Sequence, residues 1–227
     1  MDRITNDLLE KRHITQQQID RLLSRGVQNE TILETLTKVG AVSLNFVKRF
    51  VVEQIRLGVY ELSVIKNYHF LDESSILSYL AEILELPFLD LDSIDMDYKL
   101  TEKIPATQLK RYNALPISQD DMYVLIAFAD PLNIEAQESL QRLFPRKSLK
   151  VGIATEKQIQ AYLFKIELKD SVKELVNNIR NELRNIGTIE EQQEASSILQ
   201  LIDVILKACI KGRASDIHIE QIGRAHV

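Results

Sequence analysis

Apolar positions in the first eighty residues form a pattern that repeats. Leu8, Ile14 and Ile19 superimpose on Leu36, Val42 and Val47 at a spacing of 28 residues, and these superimpose on Ile65, Leu71 and Ile76 at 29. Thr15, Ser43 and Asp72 follow the second apolar position in each unit. Their side-chain oxygens can accept from the free N–H groups that open a helix. The positions after them recur at helical spacing, as in Ile19, Leu22 and Leu23. The expectation is three helix–turn–helix units over 1–85. Short amphipathic helices bury their stripes only against neighbours, so scaffolding is the default reading.

From residue 86 the pattern becomes mixed. LPFLDLDSI reads as extended, and Ile104-Pro105 opens a short helix over Ala106–Tyr112. Ala114–Ser118 and Met122–Ala129 read as strands of a hairpin turning at Gln119-Asp120-Asp121. Asp130-Pro131 is expected to cap a helix burying Ala136, Leu140, Leu143 and Phe144. A third strand follows at Leu149–Ile153, then a helix through Lys165 with Thr155 and Gln158 as a capping box. This closes an α/β domain over 86–166.

Residues 167–186 carry a further amphipathic stripe of Val172, Leu175, Val176, Ile179, Leu183 and Ile186, stopped by Gly187. The polar run Thr188–Ala195 has no stripe and reads as a linker, making 167–195 a helix-and-linker segment. Ser196 or Ser197 then caps an almost wholly apolar helix, Ile198–Lys211, with Gly212 as its left-handed stop. Asp216–Glu220 alternates like a strand. The fold class is therefore α+β.

Composition narrows the function classes. With 45% apolar residues the chain can bury a core, and no apolar run approaches the roughly 20 residues of a membrane span. The N-terminus MDRITNDLLEKRHIT lacks a secretory apolar segment, so a cytoplasmic location is expected. A net charge of −5 argues against a general nucleic-acid binder, as do the poorly basic helices QQQIDRLL and ESSILSYL. Charge is uneven: residues 1–60 hold nine Lys/Arg against seven Asp/Glu, and residues 61–100 hold two against nine. The single cysteine, Cys209, is expected to be buried filler.

The run Ala214-Ser215-Asp216-Ile217-His218-Ile219-Glu220 resembles the opening of the catalytic half of type II secretion and type IV pilus-assembly ATPases. Upstream, LPFLDLDSI, the Ile104-Pro105 helix, Ala114-Leu115-Pro116 and Ala127-Phe128-Ala129-Asp130-Pro131 resemble that family's N-terminal domain in order and spacing. The resemblance to the GspE/PilB group implies the N-terminal docking and regulatory portion of a hexameric cytoplasmic motor. Such a motor would sit peripheral to the inner membrane, work with platform or cytoplasmic-ring proteins, and use ATP and Mg²⁺ when full length. This chain has no Gly-x-x-x-x-Gly-Lys-[Ser/Thr] loop, so no ATP turnover and no bound cofactor are expected of it alone. Residues 196–220 would be the start of the ATPase half. The tail 221–227 is expected to be non-native, because Ile222–Val227 resembles a translated sequencing adapter, leaving Glu220 as the last authentic residue. The alternative is a stand-alone adaptor or cyclic-dinucleotide-binding module.

No catalytic, cofactor-binding or metal residue is assigned. Asp216, His218 and Glu220 share one face of the expected strand, but a metal site needs ligands converging from other elements. His13 and His69 read as turn or packing residues. Many relatives bind cyclic di-GMP through a repeated Arg-Leu-Gly helix–turn–helix motif. Here the arginine position is Thr31 in the second unit and Tyr60 in the third, with Leu33 and Leu62 at the early glycine. Only the second unit keeps the turn glycine, Gly40, and Arg56-Leu57-Gly58 lies one helical turn out of register. Cyclic di-GMP is therefore an unexpected ligand.

Overall fold

The computed structural model describes residues 1–94, 96, 98–101, 103–185 and 194–218. The chain is α+β, mostly helical with a three-stranded sheet, and divides into two compact units, Met1–Ile159 and Gln160–Val227.

The first unit opens with the three repeats. They are α1 (Arg3–Glu10) with α2 (Gln16–Leu23), α3 (Ile32–Lys38) with α4 (Leu44–Arg56), and a 3₁₀ turn (Leu62–Asn67) with α5 (Glu73–Leu84). The cap positions fall where the repeat places them, but only two cap through their side chains. Thr15 forms a full capping box with Gln18, and Asp72 accepts from the Ser75 N–H at 2.9 Å. Ser43 makes no cap hydrogen bond.

Each of α1 to α5 ends the same way. One left-handed residue turns the chain, and the next N–H donates to a carbonyl five residues back: His13 to Leu8, Val27 to Leu22, Ala41 to Leu36, Val59 to Gln54 and Leu86 to Ala81. Three of the left-handed residues are Gly26, Gly40 and Gly58; the other two are Arg12 and Glu85. Ile4, Leu8, Ile19, Leu36, Val47 and Ile76, all 1% exposed or less, belong to one core, and Ile153 from the sheet belongs to it too.

Next come α6 (Tyr98–Thr101) and α7 (Ala106–Arg111), then β1 (Ala114–Gln119) and β2 (Tyr123–Phe128), an antiparallel hairpin. Asp120 Oδ1 accepts from the N–H groups of Met122 and Tyr123, which fixes the hairpin turn. After α8 (Ile134–Gln141), β3 (Ser148–Ile153) pairs parallel to β2, giving the order β1-β2-β3. The segment from residue 86 is extended as far as Asp90. Phe88 bridges Ile153, the Leu89 N–H donates to the Ile153 carbonyl at 2.7 Å, and Leu91–Ser93 then winds into a 3₁₀ turn.

Several local expectations are corrected. The cap of α8 is Asn133, which accepts from the Ala136 N–H, because the Asp130 carboxylate is used two residues on by the Leu132 N–H. With α8 ending at Gln141, Leu143 is exposed, while Ala136, Leu140 and Phe144 are buried. The expected boundary at 166/167 falls inside α9, which runs unbroken from Glu156 to Asn185, and the two compact units divide seven residues earlier within the same helix. That span contains no Gly or Pro, and the stripe of Ile159, Leu163 and Ile166 continues at helical spacing into Val172, Val176 and Ile179.

In the second unit α10 (Glu194–Lys211) begins before Ser196 and Ser197, which lie inside the helix and do not cap it. The Lys211 ammonium lies 3.6 Å from the Phe164 ring centroid, so the end of α10 returns to α9. Ile198, Leu199, Ile202, Leu206 and Ile210 are exposed, and Cys209 is half-buried rather than core filler. The left-handed residue that ends α10 is Arg213, not Gly212. Asp216, Ile217 and His218 form no strand, as a strand requires a ladder partner. Ile219, Glu220 and the tail lie outside the described residues, as do Ile186, Gly187 and most of the expected linker, residues 188–193. No described helix is long and apolar enough to cross a membrane.

Candidate functional site

The N-terminus of α1 is tied to the loop that opens the third repeat, and the ties border a cleft of about 800 Å³. Asp2 caps α1 by accepting from the Thr5 N–H at 2.9 Å and the Thr5 hydroxyl at 2.6 Å. The same carboxylate accepts from the Tyr68 hydroxyl at 2.8 Å. One turn along α1, Asp7 accepts from the Tyr60 hydroxyl. Between them, Arg3 donates to the Val59 carbonyl at 2.8 Å and lies over the Tyr60 ring, 4.9 Å from its centroid. Burial pushes both tyrosine hydroxyls well above their ordinary pKa, and hydrogen bonding to the carboxylates adds to this. Both therefore stay neutral donors at neutral pH.

The repeat register identifies what this cleft is. Arg3, Thr31 and Tyr60 are equivalent positions at the 28- and 29-residue spacings. Thr31 is exposed, its hydroxyl donating to the Gln28 carbonyl, and Tyr60 is buried against Asp7. Arg3 alone has a guanidinium there, and it lines the cleft with Gly58. The sequence analysis missed Arg3, although the register that singled out Thr31 and Tyr60 reaches it when carried back one unit. The early-glycine positions Thr5 and Leu33 are fully buried, so no ligand reaches the backbone there. Arg56 pairs with Glu53 at 2.5 Å and 2.9 Å and does not line the cleft.

Electrostatics limit what the cleft can take. Asp2, Glu30 and Glu61 line it against Arg3, its one cationic side chain among the described residues, whose guanidinium already serves the Val59 carbonyl. A ligand with two phosphates would meet a carboxylate surplus. A smaller cavity, about 200 Å³, lies where β2 and β3 end and the third repeat meets the sheet. Charges at its edge are satisfied internally: Lys66 pairs with Glu156 at 2.5 Å, and Glu73 accepts from the Glu156 N–H at 3.1 Å.

The remaining candidates are placed plainly. His13 packs edge-on against Phe46 and Phe50, with ring centroids 4.8 Å and 5.9 Å away. Asp216 and His218 are exposed, and among the described residues no three His, Cys, Asp or Glu side chains could hold a metal ion.

Comparison with known proteins relates this fold to others. Residues 84–171 match the MshEN domain. Over 196 residues, 82% of this chain, the sequence is 22% identical to the type IV pilus assembly ATPase PilB of Myxococcus xanthus (strain DK1622), and the match spans 34% of that relative. Among solved structures, MshE with cdg is 25% identical, with 73% of this chain and 99% of that one covered and a TM-score of 0.41. The N-terminal domain of XpsE is 19% identical, covering 60% and 95%, with a TM-score of 0.39. The chain thus carries an MshEN domain where the sheet and its helices fold, and over most of its length it is similar to the N-terminal part of the GspE/PilB secretion and pilus-assembly ATPases.

Proposed function

We propose that this chain is the docking and regulatory portion of a motor ATPase that powers type II secretion or type IV pilus assembly. The observation that supports the reading is the MshEN domain at 84–171, continuous in its core with a three-repeat helical region. The partners in this reading are inner-membrane platform or cytoplasmic-ring proteins, met by a peripheral, hexameric full-length motor. ATP and Mg²⁺ belong to a P-loop this chain does not contain. Its own residues would bind and orient partners, with no part in phosphoryl transfer.

The chain, overproduced in its host cell, is expected to compete with the motor for its docking partner. Pilus formation or secretion should fall several-fold while ATP turnover by the purified chain stays at background. Unchanged assembly in cells that accumulate the folded chain would overturn the docking role.

A second reading is a cyclic di-GMP receiver, favoured by Arg3 at the arginine register beside an 800 Å³ cleft and by the cdg in the MshE structure. Against it stand Thr31 and Tyr60 at the equivalent positions and the three carboxylates around Arg3. Binding weaker than about micromolar, or about −8 kcal/mol, is expected by calorimetry. A tighter dissociation constant that Arg3→Ala weakens at least tenfold would establish the receiver instead.

A further inference from the structure

One short turn forms the wall between the two cavities. In a 3₁₀ turn, side chains three residues apart eclipse, so Leu62–Asn67 presents distinct faces. Val64 and Asn67 line the cleft of about 800 Å³, together with Tyr68, the residue that ends the turn. Leu62, Ile65 and Lys66 line the cavity of about 200 Å³, and Ser63 lines both. Of the six residues only Ile65 is buried in the core. Close-packed side chains resist displacement, whereas open volume on both sides leaves this turn room to shift about Ile65.

The turn is tied on each side to a different helix. On the cleft side, the Tyr68 hydroxyl donates to Asp2 at 2.8 Å and accepts from the Ile4 N–H at 3.4 Å. Arg3 also donates to the Val59 carbonyl, just before the turn, at 2.8 Å. On the other side the ties run to Glu156, the first residue of α9. Lys66 pairs with its carboxylate at 2.5 Å, and Glu73, which opens α5, accepts from its N–H at 3.1 Å. Asn113, just ahead of β1, donates to the same carboxylate at 3.3 Å. An ion pair as exposed as Lys66–Glu156 adds little to stability, so what it contributes is position.

We propose that the turn Leu62–Asn67 is a relay, through which a change on its cleft side shifts the turn and reaches the first turn of α9 by way of Lys66 and Glu73. One short segment makes the bonds to both sides: Tyr68 to α1, Lys66 and Glu73 to α9. Coupling between sites needs such a contiguous set of contacts. α9 receives the shift at its first residue and continues unbroken for 30 residues to Asn185. The relay is a property of the folded first unit, holds whatever occupies the cleft, and does not rest on the motor reading.

Amide NMR of the purified chain tests it without a ligand. Tyr68→Phe removes both hydroxyl bonds and keeps the ring. The Gln158 and Ile159 N–H groups bond to Thr155 within the first turn of α9, at 3.3 Å and 3.1 Å, and their resonances should move in this variant. The Tyr123 N–H, held by Asp120 in the hairpin turn, should stay where it is. In the Lys66→Met, Glu73→Ala background, which cuts both links, adding Tyr68→Phe should leave Gln158 and Ile159 unmoved. Arg3→Ala frees the cleft side at Val59 instead and should reproduce the pattern, which guards against a packing defect peculiar to Tyr68. Unmoved α9 resonances in both single variants, a movement that persists after both links are cut, or an equal movement at Tyr123 would each overturn the proposal.

Discussion

Replacing Ile153 with alanine is expected to cost about 2–5 kcal/mol and to weaken the helical repeats and the sheet together. Ile153 ends β3, is fully buried, and belongs to the core that holds Ile4, Leu36 and Ile76 of the repeats. Its backbone also pairs with the segment joining the two regions, accepting from Leu89 at 2.7 Å and donating to Pro87 at 2.9 Å. A cavity there removes contacts from both sides at once. Chemical denaturation should show one cooperative transition in the first unit before and after the substitution, shifted to lower denaturant. Two separated transitions, with only the sheet's displaced, would show that 1–85 and 86–159 fold independently.

The second large effect is expected at Asp2. Asp2→Ala removes the cap of α1, worth about 1 kcal/mol, and leaves the buried Tyr68 hydroxyl without its carboxylate, a further cost of about 1–3 kcal/mol. Tyr68→Phe should cost less, because Asp2 keeps both bonds from Thr5. Denaturation of the two variants, compared by midpoint, checks the order, and equal losses would mean that the cap contributes nothing. A pH dependence follows from the same residues. The folded-state pKa values of Tyr60 and Tyr68 lie above the ordinary value of 10.0, so the unfolded chain releases these protons first. Their contribution is fully present below pH 10 and is lost as pH climbs beyond it. Asp2→Ala should flatten that alkaline loss only in part, since burial, the larger cause of the Tyr68 shift, remains when the carboxylate is gone.

Much of the fold was legible from local pattern. The spacing of Leu8, Leu36 and Ile65 located three repeats, because a short amphipathic helix needs apolar residues at fixed intervals to bury any face. Ala114–Ser118, Met122–Ala129 and Leu149–Ile153 located the strands within a residue or two, since strongly apolar runs between turn residues have few other solutions. What failed locally was the choice among neighbouring polar residues. Asp130 and Asn133 are both competent caps, and only the turn actually formed decides which oxygen faces the helix.

The candidate site was less legible, for a reason that goes beyond pattern. The register named Thr31 and Tyr60, yet Arg3 becomes meaningful only when α1 is laid against a loop some sixty residues away, where Val59, Tyr60 and Tyr68 meet it. Sequence by itself determined the repeat, the strands and the absence of a phosphate loop from these 227 residues. Each of these depends on residue type and spacing along one stretch of chain. Tertiary structure alone decided that the repeats and the sheet share a core through Ile153 and that the cleft carries a carboxylate surplus. Those properties belong to pairs of residues distant in sequence, and packing, not periodicity, selects which pairs meet.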